Sequence, residues 1–257
     1  MLDCLDETPL ICKPVSITFL GSGDAFGSGG RFQTCLLLEG ANCRSLIDCG
    51  ASSLVAMKQR GISSASVNAI LVTHLHGDHF GGIPFFILDA QFSRRETPLI
   101  LAGPPGLEAR VWQAMEVLFP NSSKAPRRFA IEFVELAAEV SHRVGRLEVT
   151  AYPVIHACGA PPYAIRVECA GRVIAYSGDT EWTDKLVEVA DQADLFICEA
   201  YFFEKKVKFH LDYQTLLSHR QALRCKRLVL THMNSDMLAH SMDLSIECAH
   251  DGFAIML

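Results

Sequence analysis

An apolar stretch, VNAILVT (residues 67–73), runs without a break into THLHGDHFGG (73–82). That junction constrains the chain more than any other. A run apolar on both faces reads as an interior strand of a covered sheet. Its end then carries His74, His76, Asp78 and His79 within six positions. His74 and His76 alternate past the strand end, so both rings can face one point. Asp78 and His79 enter the next turn and can face a second point nearby. A lone histidine at such a place reads as a satisfied core group, whereas four groups in HxHxDH read as a metal site. Imidazole and carboxylate suit zinc, with manganese or iron as alternatives.

The rest of the chain alternates between strand and helix patterns. Strands are predicted at 16–20, 34–40, 44–50, 67–73, 98–103, 129–136, 147–155, 163–169, 172–179, 194–200, 227–232 and 253–257. Helices are predicted at 53–61, 83–92, 107–119, 182–190 and 212–223. Runs of strands in each half, with helices between them, predict two sheets covered by helices. No linker or low-complexity segment divides the chain, so residues 1–257 are expected to form a single domain. One internal echo stands out: AILVTHLHGDH (69–79) and RLVLTHMNSDM (227–237) share strand–Thr–His–x–x–x–Asp. A duplicated layout would bring two strand ends to one cleft, each with a histidine.

One cluster cannot complete two metal sites. Three further groups end strand-like runs: His156 after VTAYPVI, Asp179 in AYSGDT and His232 in RLVLTH. A carboxylate has two oxygens and can bridge two cations. The expected sets are His74, His76, His156 and Asp179 for one ion, and Asp78, His79, Asp179 and His232 for the other. Taken singly, His156 and His232 also read as core histidines and Asp179 as a turn residue. Asp48, in LIDCG, is expected to support the metal histidines from behind, or to serve a core turn.

Composition narrows the partners. The formal charge is −6, opposite to the balance of most polyanion-gripping proteins. The basic groups at 94–95, 126–128 and 205–208 could hold phosphates or simply face solvent. The ten cysteines form no CxxC pair, and several fall in apolar runs, so buried thiols and a reducing cytoplasm are expected. The N-terminal MLDCLDETPLICKP reads as no signal peptide. No apolar run approaches the ~20 residues of a membrane helix. GSGDAFGSGG (21–30) lacks GK[ST] and misses the dinucleotide spacing, and reads as a tight turn bordering the cleft.

THLHGDH, His156, SGDT (177–180) and His232, in that order, resemble the signature of the metallo-β-lactamase superfamily. FLGSGDAFGSGGRFQTCLLL, IDCGAS (47–52), CEAYF (198–202) with His210, and LTHM (230–233) are similar to ribonuclease Z and its phosphodiesterase relatives. The resemblance implies an α/β, four-layer αββα sandwich of two mixed β-sheets flanked by helices. It implies a hydrolase with two zinc ions (Mn2+ or Fe as alternatives) at the strand ends, and a homodimer. Two cations about 3.5–4 Å apart lower the pKa of a water toward ~7 and clamp a phosphoryl or acyl oxygen. Asp78 would orient that water as well as bind metal. In ribonuclease Z-like enzymes a histidine following such a glutamate protonates the leaving group. Here that implies His210 as acid and Glu199 as its orienting partner, although HLDYQT replaces the usual HST-like stretch.

The departures matter equally. Many ribonuclease Z enzymes carry a tRNA-gripping arm between the ligands matching His156 and Asp179. Here residues 157–178 leave room only for two strands and a tight turn at Ala170-Gly171. The HxxxRY-like ending is replaced by HMNSDM. The expected activity is therefore hydrolysis of small or cyclic phosphodiesters, or of RNA ends, with folded tRNA disfavoured as a partner. The alternatives are a tRNA 3′-processing ribonuclease Z and a lactonase-, thioesterase- or glyoxalase II-like hydrolase. A metal-holding module without turnover is the alternative from another class.

Overall fold

The computed structural model describes residues 14–40 and 43–257. The N-terminal stretch read for a leader, with Cys4 and Cys12, lies outside them. The first sheet holds β1 (Ser16–Gly21), β2 (Cys35–Gly40), β3 (Cys43–Ile47), β4 (Ala69–Leu71), β5 (Leu99–Gly103) and β6 (Ile131–Glu135). The C-terminal strand β14 (Ala254–Met256) pairs with β1 at its edge. The second sheet holds β7 (Ser141–Val144), β8 (Leu147–Pro153), β9 (Tyr163–Cys169), β10 (Arg172–Tyr176), β11 (Leu195–Glu199), β12 (Leu228–Thr231) and β13 (Glu247–Cys248), in that spatial order.

Both sheets are mixed in the same way. From β14 to β3 the neighbours are antiparallel, and from β3 to β6 they are parallel. From β7 to β10 they are antiparallel, and from β10 to β13 parallel. The two halves thus match strand for strand, with β3 equivalent to β10 and β4 to β11. The echo between residues 69–79 and 227–237 follows β4 and β12, which are not equivalent. It reflects two buried parallel strands of like composition. The equivalent pair is instead Asp48 after β3 and Asp179 after β10.

Side-chain alternation creates the layers. Leu36 and Leu38 turn toward the second sheet and join Phe19, Ile47, Val149, Ile165, Ile197 and Val229 in the central core. Leu37, between them, faces outward with Leu46 and Ile70. These meet Met57 of α1 (Ser53–Gln59), Phe80 of α2 (Gly77–Phe80), Phe86 of α3 (Ile83–Phe92) and Met115 of α4 (Leu107–Leu118). On the far side Phe196 and Leu230 meet Val189 of α5 (Lys185–Ala190), Leu216 of α6 (Tyr213–Ser218) and Met237 of α7 (Ser235–Ala239). Each such side chain contributes about 1.5–3 kcal/mol on burial. The result is the αββα sandwich expected from the sequence. Cys35, Cys49, Cys158 and Cys198 are buried thiols, as expected, whereas Cys225 and Cys248 are only half-buried. Among the described residues no helix is long and apolar enough to cross a membrane.

Several boundaries differ from the sequence reading. The strand expected over 67–73 keeps its ladder only over 69–71, because the Thr73 N–H turns to the Asp48 carboxylate (2.8 Å). The helix expected over 212–223 ends at Ser218 and continues as a 3-10 turn at Arg220–Ala222. Strand β7 and helix α7 were not foreseen; β7 is short, and its first three residues are not buried. The segment 157–178 is as expected: β9 and β10 form a hairpin turned at Ala170 (φ +46°) and Gly171 (φ +77°). Two residues at positive φ match the right-handed twist of a two-residue hairpin.

Candidate functional site

The predicted residues converge where strands of both sheets run out. His74 follows β4, Asp179 follows β10, Glu199 ends β11 and His232 follows β12, each a strand with a parallel neighbour. The crevice beyond the carboxyl ends of parallel strands is the usual place for ligands in such sheets. The rims are tied together there: Tyr163 N–H donates to Thr73 O (3.0 Å), and His232 N–H to Ser22 O (3.1 Å). Asp48 and His232 hold φ of +58° and +56°, a strained conformation for residues with a side chain, of the kind that collects at functional sites. Gly50 and Gly82 allow the close approach of segments beneath the cluster. A Cβ on Gly50 would meet the Asp78 carbonyl, and one on Gly82 the Gly50 carbonyl.

Two groups of ligand-capable atoms lie side by side, each within 4.8 Å internally. One is His74, His76 and His156; the other is Asp78, His79, Asp179 and His232. Asp179 stands between them. Its Oδ2 is 3.2 Å from His232 Nε2, 3.8 Å from His74 Nε2 and 4.0 Å from His156 Nε2. Its Oδ1 is 3.3 Å from His79 Nε2, and Asp78 Oδ2 is also 3.3 Å from that nitrogen. All seven predicted ligands are therefore brought together. His210 comes within the same reach of His156 and Asp179, which the sequence had not indicated.

The outward nitrogens of four rings are engaged. His79 Nδ1 meets Asp48 Oδ2 at 2.7 Å, and both groups are fully buried. His74 Nδ1 meets Thr73 Oγ1 (3.1 Å), His232 Nδ1 meets Thr34 Oγ1 (3.2 Å) and His156 Nδ1 meets the Phe209 carbonyl (2.7 Å). Thr73 spends its own proton on Asp48 (2.9 Å) and Thr34 on Gly23 O (3.3 Å), so both hydroxyls accept from the rings. These contacts assign a proton to Nδ1 and turn Nε2 of each ring inward. Only Asp48 was foreseen. Threonine and a backbone carbonyl carry no sequence signal for such a role.

The charges are strongly coupled. Burial, then the neighbouring His79, hold His74 well below the usual histidine range despite Asp179. Burial opposes charge on His79 too, but Asp179, Asp78 and Asp48 together draw it well above that range. Burial likewise disfavours a charged Asp179, yet His232, His79 and His74 hold it well below the carboxylate range.

The residues fit a divalent metal. His74 Nε2, His79 Nε2 and Asp179 Oδ1 are buried and have no hydrogen-bond partner. Unpaired buried polar atoms are costly and uncommon. Asp78 Oδ2 and Asp179 Oδ1, each 3.3 Å from His79 Nε2, need positive charge among them. One proton on His79 would serve that spot but not the inward Nε2 of His74.

Beside the cluster, His210 Nδ1 meets Glu199 Oε2 at 3.0 Å. Glu199 is fully buried, and its Oε1 accepts from the Thr180 N–H. Tyr201 stacks on the His210 ring at 4.5 Å and 25°. Burial and the Asp179 charge push Glu199 up to about 7 despite His210. Burial works against a charged His210, but its bond to Glu199 and the surrounding carboxylates raise it to about 9. Both predicted partners are thus paired. His76, Asp78, Asp179, Tyr201, His210 and His232 line one cavity of about 200 Å3 with Ala25 and Phe26. The basic groups divide: Arg95 is buried on the carbonyls of Ser64, Thr97 and Pro98, and Arg127 donates to Ser122 O and Ser123 O. Lys206 borders a second small cavity on which His210 also opens.

Fold and site together define a metal-binding hydrolase of the metallo-β-lactamase fold, similar to ribonuclease Z. The chain belongs to the family described as "Anti-Pycsar protein Apyc1", whose model matches residues 15–253. It is 24% identical over 276 residues to a ribonuclease Z of Agathobacter rectalis, covering 87% of this chain and 89% of the relative. The solved human tRNase Z, short form, superposes with a TM-score of 0.77 at 26% identity, covering 93% of this chain and 98% of the other. The metallo-β-lactamase fold protein YhfI of Bacillus subtilis gives 0.76 at 19%, covering 95% and 100%.

Proposed function

We propose that the chain is a two-metal phosphodiesterase acting on small or cyclic phosphodiesters or on RNA ends. The observation that carries this reading is the Glu199–His210 pair set against the ligand cluster. His74, His76, His156 and Asp179 would hold one ion, and Asp78, His79, Asp179 and His232 the other, with zinc the first expectation and Mn2+ or Fe the alternatives. When bound, such a pair supplies Lewis acidity that activates water and neutralises charge on the ester oxygens. Asp78, on the cavity wall, would orient the attacking water.

An alkoxide leaves a phosphodiester poorly unless it is protonated. His210 opens on the cavity and its ring is fixed by Glu199 and by Tyr201. In this reading it delivers that proton. Acyl substrates with good leaving groups need such help less, which favours the diester reading over a lactonase or thioesterase.

A small substrate is supported by the short hairpin between His156 and Asp179, a segment with no room for an RNA-gripping arm. The net charge of −6, with Arg95 buried and Arg127 held by the carbonyls of Ser122 and Ser123, points the same way. Processing of tRNA 3′ ends is the second reading, favoured by the ribonuclease Z relatives.

The test is a substrate panel with Zn2+- or Mn2+-loaded protein: bis-p-nitrophenyl phosphate, cyclic nucleotides, an acyl lactone and pre-tRNA. Diester turnover is expected. Lactone turnover without diester turnover would sink the proposal.

A further inference from the structure

The Gly-rich turn of residues 21–30 borders the cavity, and its build exceeds what a connection needs. Asp24 is fully buried. Its Oδ1 accepts from the N–H of Phe26 (3.2 Å) and Ser28 (2.9 Å), and its Oδ2 from Ser28 Oγ (2.8 Å). Gln33 Nε2 donates to Ala25 O (2.9 Å), and Gly27 and Gly29 take φ of +68° and +69°. The backbone is therefore pinned on both sides of Phe26. Yet the Phe26 side chain is 84% exposed. Leaving a large apolar ring in water forgoes the gain of burying it. The fold draws no packing from that ring, so its placement at the cavity mouth calls for another use.

The cavity itself is small. About 200 Å3 is less than the roughly 300–1,000 Å3 of pockets that enclose an organic ligand of ordinary size. It takes the reacting phosphate, and the remainder of a substrate must lie across the rim. Among the residues lining it there is no lysine or arginine. The rim offers aromatic surface instead. Tyr201 is already stacked on His210, which leaves Phe26 as the ring with a free face.

We propose that Phe26 is a stacking platform for the base of a nucleotide-type substrate, which makes it a specificity-determining residue of this site. The inference rests on the phosphodiesterase reading and narrows it to substrates with an aromatic base. A flat base gains on an aromatic face what an aliphatic alcohol does not, and every base has such a face. Discrimination is thus between base-bearing and base-free diesters rather than among bases.

The test is calorimetric binding of adenosine 5′-monophosphate and ribose 5-phosphate to the Zn2+-loaded protein and to F26A and F26W. In the unaltered protein the monophosphate should bind the tighter. F26A should weaken it about tenfold while ribose 5-phosphate stays unchanged, and F26W should retain the tight binding. Equal affinity of the unaltered protein for the two ligands overturns the proposal. So does an F26A that binds the monophosphate normally, as a ring serving a protein contact would give. Equal loss of both ligands in F26A also overturns it, since the turn would then only shape the site. Turnover of bis-p-nitrophenyl phosphate, measured alongside, separates the two ideas. Its absence from the unaltered protein removes the phosphodiesterase reading, whereas its presence with an unmoved F26A removes only the platform.

Discussion

Asp48 Oδ2 lies 2.7 Å from His79 Nδ1, and both side chains are wholly buried. The same carboxylate accepts from the Thr73 N–H and hydroxyl, and Thr73 in turn steadies His74. One buried acid thus sets the ring orientation in both halves of the cluster. Replacing such an outer partner of a metal-ligating histidine commonly costs 10- to 100-fold in metal affinity. Asp48→Asn should weaken Zn2+ binding by about that much. Competition titration against a chelator checks it, and an unchanged affinity would remove Asp48 from the site.

His210→Ala should lower diester turnover by roughly 10²- to 10⁴-fold, the usual worth of a positioned acid. Glu199→Gln should act in the same direction, because it removes the charge that fixes His210. Metal content should stay unchanged in H210A. Since His210 also comes within ligand distance of His156 and Asp179, loss of metal would recast it as a ligand.

Gly50 has no room for a side chain, because a Cβ there would run into the Asp78 carbonyl. Gly50→Ala should therefore displace the segment carrying Asp78 and His79. The expected result is a lower melting temperature together with loss of metal. Gly61, whose added Cβ would meet nothing, provides the contrast. Its φ of +67° still carries a strain cost, so Gly61→Ala should lower the melting temperature while metal content is kept.

Bound metal should stabilise the fold, because it pairs buried lone pairs on His74, His79 and Asp179. A ligand at about 1,000 times its Kd adds about 4 kcal/mol. Chelation should lower the melting temperature by several degrees, and Zn2+ should restore it. Identical melting curves with and without chelator would contradict this account of the cluster.

The fold and the metal-capable residues were legible because their signals are local. His74, His76, Asp78 and His79 share one short segment, and each remaining ligand ends an apolar strand run. The supporting groups were not legible. Thr34, Thr73 and the Phe209 carbonyl gain their roles only when distant segments meet, and threonine in a strand has many ordinary uses. The same holds for the turn at Asp24, which read as a border of the cleft and gave no sign that it pins Phe26. Strand β7 escaped because little of it is buried, and the true match between the halves, Asp48 with Asp179, appears only from the pairing of the strands.

In the proposed mechanism, seven side chains hold two ions that together support diester hydrolysis. Metal-free protein titrated with Zn2+ or Mn2+, with bound metal and bis-p-nitrophenyl phosphate turnover read on the same samples, tests it most directly. Two ions per chain are expected, with full turnover reached only as the second binds. Full turnover in the metal-free protein, or saturation at a single ion, would contradict it.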